Sequence, residues 1–268
     1  MSVRSGTRIS TRNARFQQWH ALLDNRTKRT RTGQFLVHGV RPITLAHRLG
    51  WPIEALLFPA GRRLSEWARK TLDESRAESV AMAPELLGEL AERPDEPPEL
   101  VAVAAQRPDE LDRIPVSQDF LGVLFDRPTQ PGNIGTVIRS ADAFGAAGVI
   151  VSGHAADPYD PRAVRASTGS LFAVPVVRVA GPEPVLEWVR EHGIRLVGTD
   201  EDGARLVAQA DLTGPTLLVL GNETTGMSAA WRAACDEVVR IPIGGQASSL
   251  NAATAATVVL YEASRQRA

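Results

Sequence analysis

The stretch Thr216-Leu-Leu-Val-Leu-Gly-Asn-Glu-Thr-Thr-Gly-Met-Ser228 decides the fold class. Leu217-Leu-Val-Leu220 is apolar without alternation, a pattern that suits a strand covered on both faces. Such strands belong to a parallel, doubly wound α/β sheet with helices on each side. The residues that follow place the carboxylate of Glu223 directly past a buried strand. It is bracketed by Gly221 and Gly226, where the backbone can approach a ligand closely. A turn that only caps the next helix through Ser228 accounts for the same residues, and both readings stand at this level.

Working outward, short apolar runs alternate with helical periodicity through the second half of the chain. The patterns predict strands over 120–125, 148–151, 174–179, 194–198 and 238–241, and helices over 134–144, 161–166, 185–191, 229–234 and 250–265. Ligands of doubly wound sheets sit beyond the carboxyl ends of the strands, so the loops after Phe125, Leu220 and Ile241 are where chemistry is sought. Upstream, residues 34–38, 53–58, 79–82 and 101–104 read as strands, and 43–49, 64–72 and 84–90 as helices. Together they form a smaller alternating unit. Prolines crowd residues 92–115, which sets a linker at 106–118 between a domain over 33–105 and another over 119–268.

The loop after Phe125 leads into Pro131-Gly-Asn-Ile-Gly-Thr-Val-Ile-Arg-Ser-Ala-Asp142. Its apolar Ile134, Val137, Ile138 and Ala141 recur at helical spacing and leave Gly135, Arg139 and Asp142 on the opposite face. It is neither a dinucleotide fingerprint nor a Walker loop. Asn133 reads as a site residue or a helix cap, and Arg139 as a site residue or the surface partner of Asp142. The third loop, Ile241-Pro-Ile-Gly-Gly-Gln-Ala-Ser-Ser-Leu-Asn251, sets Ser248, Ser249 and Asn251 at a helix N-terminus, where free N–H groups favour an acceptor. The helix beyond is rich in alanine (Ala252, Ala253, Ala255, Ala256). That composition fits a close backbone interface, threaded or dimeric, or simply good helix propensity.

The 268 residues are 43% hydrophobic and 23% charged, an ordinary globular composition that excludes wholesale disorder. The lone Cys235 cannot form an intrachain disulfide, no Cys/His spacing fits a metal, and no apolar run approaches a membrane span. A soluble cytoplasmic protein without a metal or membrane partner is expected. The net charge of −1 hides an asymmetry: residues 1–50 hold nine arginines and Lys28 against the single acid Asp24, a net +9. Residues 1–32 therefore read as a basic arm for a polyanion, with Arg12, Arg15, Arg26, Lys28, Arg29 and Arg31 as RNA contacts. Phe16 and Trp19, at helical spacing with Leu22 and Leu23, suit docking of this arm onto the protein better than base stacking.

Three segments, Asn133-Ile-Gly-Thr-Val-Ile-Arg139, Gly221-Asn-Glu-Thr-Thr-Gly226 and Ile241-Pro-Ile243 leading to Ser249-Leu-Asn251, together resemble the SpoU (TrmH) family of RNA ribose 2'-O-methyltransferases of the SPOUT class. Arg165-Ala-Ser-Thr-Gly-Ser170 resembles the segment between the family's first two motifs, and residues 33–105 resemble its L30e-like substrate-binding domain. The stretches around Ser10–Trp19 and Phe125-Asp-Arg-Pro128 are similar to the actinobacterial 23S rRNA methyltransferases of orthosomycin resistance. The resemblance implies a parallel sheet with a trefoil knot, a homodimer, and S-adenosylmethionine as methyl donor without a metal. It implies RNA as substrate, ribosomal RNA first; transfer RNA and a non-catalytic RNA-binding role are the alternatives. It assigns catalysis to Asn133, Arg139, Glu223, Ser249 and Asn251, cofactor contacts to Leu220, Gly221, Ile241, Ile243 and Leu250, and a further RNA contact to Arg165. Thr224 and Thr225 depart from the residues frequent after the glutamate, and Gly244-Gly245 makes the third loop more flexible.

Overall fold

The computed structural model describes residues 7–268, so Arg4 and the rest of residues 1–6 of the expected arm lie outside the described residues. Two compact units divide the chain: one runs to Arg107 and includes Tyr159–Phe172, the other comprises Pro108–Pro158 and Ala173–Ala268.

The first unit contains β1 (Arg8–Ile9), α1 (Ala14–His20), α2 (Arg26–Thr32), β2 (Gln34–His38), α3 (Val40–Arg48), β3 (Ile53–Pro59), α4 (Glu66–Glu74), β4 (Glu78–Met82), α5 (Pro84–Leu90) and β5 (Val101–Ala105). Its sheet has the order β1-β4-β3-β5-β2, with β5 antiparallel to both neighbours and the other pairs parallel. From residue 7 onward the basic segment is not an arm. Asn13 and Asn25 cap α1 and α2 by accepting the amide N–H of Phe16 and of Lys28, and Gly33 ends α2 at a left-handed φ of 65°. Ile9, Phe16, Trp19 and Leu22 are buried in one cluster with Leu36, Leu57, Val80 and Val103, so the segment is part of the core.

The second unit contains β6 (Leu121–Asp126), α6 (Pro131–Ala143) and β7 (Gly148–Ser152) before the chain contributes α7 (Pro161–Ala166) to the first unit. It then continues with β8 (Val176–Val179), α8 (Glu183–Glu191), β9 (Arg195–Thr199), β10 (Arg205–Leu206), β11 (Thr216–Leu220), α9 (Ala229–Ala234), β12 (Glu237–Arg240) and α10 (Ala252–Gln266). All seven strands are parallel, in the order β10-β12-β9-β11-β6-β7-β8. Every residue of β6, β7 and β11 is buried, as the unbroken apolar runs require. The strand order reverses between β6 and β11, which opens the crevice where ligands of such sheets bind. The expected linker is instead packed structure: Leu111–Arg113 form a 3-10 turn, and Ile114 is buried against Gly148, where a Cβ would lie 2.7 Å from its side chain.

The segment Tyr159–Phe172 reads as part of the second domain in sequence, yet its side chains complete the first unit. The ring of Tyr159 lies 4.7 Å from that of Phe35, and Phe172 meets Trp51 edge-on at 5.2 Å. Asp160 caps α7 and faces the buried guanidinium of Arg29 at 3.6 Å.

Candidate active site

Both ends of the loop after β11 meet. The amide N–H groups of Asn222 and Gly226 each donate to the other's carbonyl, at 3.0 and 3.1 Å. A Cβ on Gly221 would overlap the backbone of Gly226 and Met227, so only glycine closes this loop, and Gly226 takes a φ of 67°. The loop carries Glu223 outward to the start of α6. There its carboxylate accepts four bonds: from the Thr129 amide (3.0 Å) and hydroxyl (3.1 Å), the Gln130 amide (3.3 Å) and the Asn133 side-chain amide (3.0 Å). Burial is the largest influence on this carboxyl and pushes its pKa up. The Thr129 amide, Asn133 and the other donors together outweigh it, and the pKa falls below the ordinary glutamate value.

Asn133 is therefore not a helix cap. Its Nδ2 donates to Glu223 while its Oδ1 accepts a 3.2 Å bond from Nδ2 of Asn251, so residues from three loops form one chain of contacts. The Oδ1 of Asn251 caps α10 by accepting the amides of Ala253 and Thr254. This corrects two expectations. The helix begins at Ala252 rather than at residue 250, and Asn251 itself occupies N–H groups expected to be free for a ligand. Ser228 caps α9, as the capping reading of the second loop expects, while Glu223 of the same loop faces Asn133 instead.

Beside this network lies a cavity of ≈ 410 Å³ at the carboxyl ends of β9, β11 and β12. All five expected cofactor contacts, Leu220, Gly221, Ile241, Ile243 and Leu250, line it, as do Ser249 and Glu223. Thr199, Asp200 and Asn222 also line it and were not singled out in the sequence. The volume suits a drug-sized ligand. Its aliphatic walls can hold a flat heterocycle, and Gly221 brings backbone polar groups to the surface. These features fit a nucleoside cofactor. No cluster of metal-ligating side chains occurs among the described residues.

Arg139 is exposed on α6, and no hydrogen bond or ion pair holds it among the described residues. The expected pair with Asp142 does not form. Gly135, assigned to the same polar face, is buried. Arg139 is six residues beyond Asn133, about 9 Å along the helix axis, and does not line the cavity.

The expected RNA contacts separate in the structure. Arg29 is a correction: it is 1% exposed, and its guanidinium donates to the carbonyls of Leu22 and Leu23 beside Asp160, so it cannot reach a polyanion. Arg12 pairs with Glu89, Arg15 with Glu78 and Arg165 with Glu92. Arg26 and Arg31 are exposed and Lys28 is half-buried on α2; Lys28 and Arg31 have no ion pair among the described residues.

A parallel sheet with Asn, Glu and Asn side chains joined at its switch point, beside a cavity fit for a nucleoside, is the framework of a methyltransferase of the SpoU class. The chain belongs to the SpoU rRNA methylase family, which residues 121–261 match, and residues 13–102 match the SpoU L30e-like domain. It is similar to the 23S rRNA (uridine(2479)-2'-O)-methyltransferase of Streptomyces viridochromogenes, with 63% identity over 265 residues, 97% of this chain and 92% of the relative. The crystal structure of the SpoU methyltransferase AviRb from Streptomyces viridochromogenes in complex with AdoMet superposes with a TM-score of 0.92 at 62% identity, covering 96% of this chain and 98% of that one. An AdoMet-bound rRNA methyltransferase from Sinorhizobium meliloti superposes with a TM-score of 0.87 at 31% identity, covering 97% of each chain.

Proposed function

We propose that the chain methylates a ribose 2'-hydroxyl of 23S ribosomal RNA, at a uridine as in its Streptomyces relative, with S-adenosylmethionine as donor. The observation that carries this reading is the Glu223–Asn133–Asn251 chain of bonds beside a cavity lined by the expected cofactor contacts. When bound, the cofactor supplies an electrophilic methyl group on a sulfonium.

The residues then take distinct tasks. Leu220, Gly221, Ile241, Ile243 and Leu250 hold the cofactor in the cavity. Glu223 stays ionised, and its lone pairs face four donors, so it acts as the anchor that orients Asn133 rather than as a general base. Asn133, Asn251 and the neighbouring Ser249 position the ribose. Arg139 cannot serve as base, because a guanidinium has a pKa above about 12. It holds a backbone phosphate and stabilises the charge that develops on the 2'-oxygen as its proton passes to water. Arg139 lies off the cavity, and Ile243, Leu250 and Tyr261 are exposed large hydrophobics, which supports a homodimer in which a second copy brings its Arg139 to the site. The segment after β12 passes through a trefoil knot, the protein works in the cytoplasm, and the modification confers resistance to an orthosomycin antibiotic that targets the ribosome.

The test is methyl-labelled S-adenosylmethionine with purified 23S rRNA or bulk tRNA, followed by nuclease digestion and nucleoside analysis. The expected product is 2'-O-methyluridine from 23S rRNA alone. Label in tRNA only would move the substrate to tRNA, and RNA binding without cofactor binding would leave a non-catalytic RNA-binding protein.

A further inference from the structure

Arg127, the first residue past β6, stands at the point where the sheet reverses, and it is one of three non-glycine residues with positive φ among the described residues, at 50°. A side chain held in that region marks a place where the surroundings dictate the backbone. Here the surroundings are specific. The Arg127 amide donates to Ser152 at 2.9 Å, its carbonyl accepts the Asn222 side-chain amide at 2.6 Å, and Nη2 donates to the carbonyl of Gly226 at 3.2 Å. The guanidinium also makes two-pronged contact with Asp126 at 3.1–3.2 Å, and the buried Asp126 carboxylate accepts the amide of Ser228 at 2.7 Å. Gly153, with a φ of 75°, makes room for this side chain: a Cβ there would stand 2.8 Å from the Arg127 Cγ.

Asn222 and Gly226 belong to the loop that walls the cavity on one side and presents Glu223 on the other, and Ser228 follows its end as the cap of α9. Arg127 touches neither the cavity nor the Glu223 network, yet it grips both ends of that loop through main-chain and side-chain atoms.

We infer that Arg127 is a positioning residue for the cofactor: with Asp126 it forms a clamp that holds the Gly221–Met227 loop in the shape that binds S-adenosylmethionine. The inference rests on the proposed cofactor reading and adds a residue that lies outside the three loop motifs. Lysine in its place keeps the charge and loses the fork that reaches Asp126 and Gly226 together. Glycine removes the fork but relieves the left-handed backbone, so it separates loop positioning from strain.

The experiment is calorimetric titration of S-adenosylmethionine into wild type, R127K, R127A and R127G, with thermal melts and steady-state kinetics alongside. R127A and R127G should bind the cofactor about 10- to 100-fold more weakly, as expected when hydrogen bonds from a charged group are lost, with R127K in between. R127G should melt at or above R127A while sharing its weak binding. The KM for cofactor should rise by a larger factor than turnover at saturating cofactor falls, because the clamped loop also presents Glu223. Unchanged cofactor affinity in the folded variants, or affinity that merely tracks melting temperature across the series, would overturn the inference. Should R127A fail to fold, R127K and R127G carry the comparison. Failure of the wild type to bind S-adenosylmethionine would overturn the proposed function and this inference with it; wild-type binding left intact by all three substitutions would overturn only the inference.

Discussion

Four of the first unit's arginines expected to contact RNA end on carboxylates of the same unit, Arg12 on Glu89, Arg15 on Glu78, Arg29 on Asp160 and Arg165 on Glu92, whereas Arg31 has no ion pair among the described residues. In the second unit Arg178, Arg195, Arg205, Arg232 and Arg265 also end on carboxylates, while Arg139 ends on nothing among the described residues. The difference teaches that a cation is available to an external anion when the fold leaves it without a partner, however many cations crowd the sequence nearby. A net charge counts arginines. It does not say which of them already face an acid.

Removing the basic segment should do the most damage. Burying one large apolar side chain contributes about 1.5–3 kcal/mol, and a whole domain is stable by only about 5–15 kcal/mol. Deleting residues 1–32 takes Ile9, Phe16, Trp19 and Leu22 out of the core and should unfold the first unit, seen as lost amide protection across β2–β5 in hydrogen exchange. An intact first unit after the deletion would restore the detachable arm. Next in size, Arg29→Ala removes a buried guanidinium from the carbonyls of Leu22 and Leu23, while Asp160 keeps Arg162, and should cost about 1–3 kcal/mol in urea unfolding.

Asn133→Ala removes one donor from Glu223 and the acceptor of Asn251, and should slow methyl transfer about 10²-fold through misplacement of the ribose, with little change in melting temperature. A smaller effect concerns pH. The Arg15 guanidinium, against the opposing effect of burial and with help from the Thr7 hydroxyl, holds Glu78 down to about 2. Stability from this depressed carboxyl is fully present above the ordinary value of 4.5 and is lost as pH falls toward about 2. Glu78→Gln should therefore flatten the acid limb of first-unit stability in that window, measured by unfolding at a series of pH values. Smallest of all, Arg12→Ala breaks an exposed, solvent-screened pair and should leave the urea unfolding midpoint unchanged within error.

The candidate site is legible in the sequence where its contacts are local. Leu217–Leu220 announces a buried parallel strand, and the three loops after β6, β11 and β12 carry Asn133, Glu223, Ser249 and Asn251 at recognisable spacing. What could not be read depends on contacts between distant residues. β1 has two residues, too few for any alternation, and exists only because β4 offers it an edge. α2 reads as a polar run because its buried face is the aliphatic stem and guanidinium of Arg29. Residues 159–172 carry ordinary helix signals, and nothing local says that Tyr159 and Phe172 complete the first unit. Arg127 is ordinary as a residue type; its φ and its bonds to Asn222 and Gly226 appear only once β11 lies beside β6.

Arg139, without a partner on α6 among the described residues, is proposed to perform the electrostatic work of catalysis. Single-turnover methylation of 23S rRNA by Arg139→Ala, at saturating RNA and cofactor, tests it most directly. The rate should fall roughly 10²–10³-fold, the size expected when a transition-state charge partner is removed, with stability changed by less than about 0.5 kcal/mol because the side chain is exposed. A folded Arg139→Ala protein that methylates at the wild-type rate would contradict it.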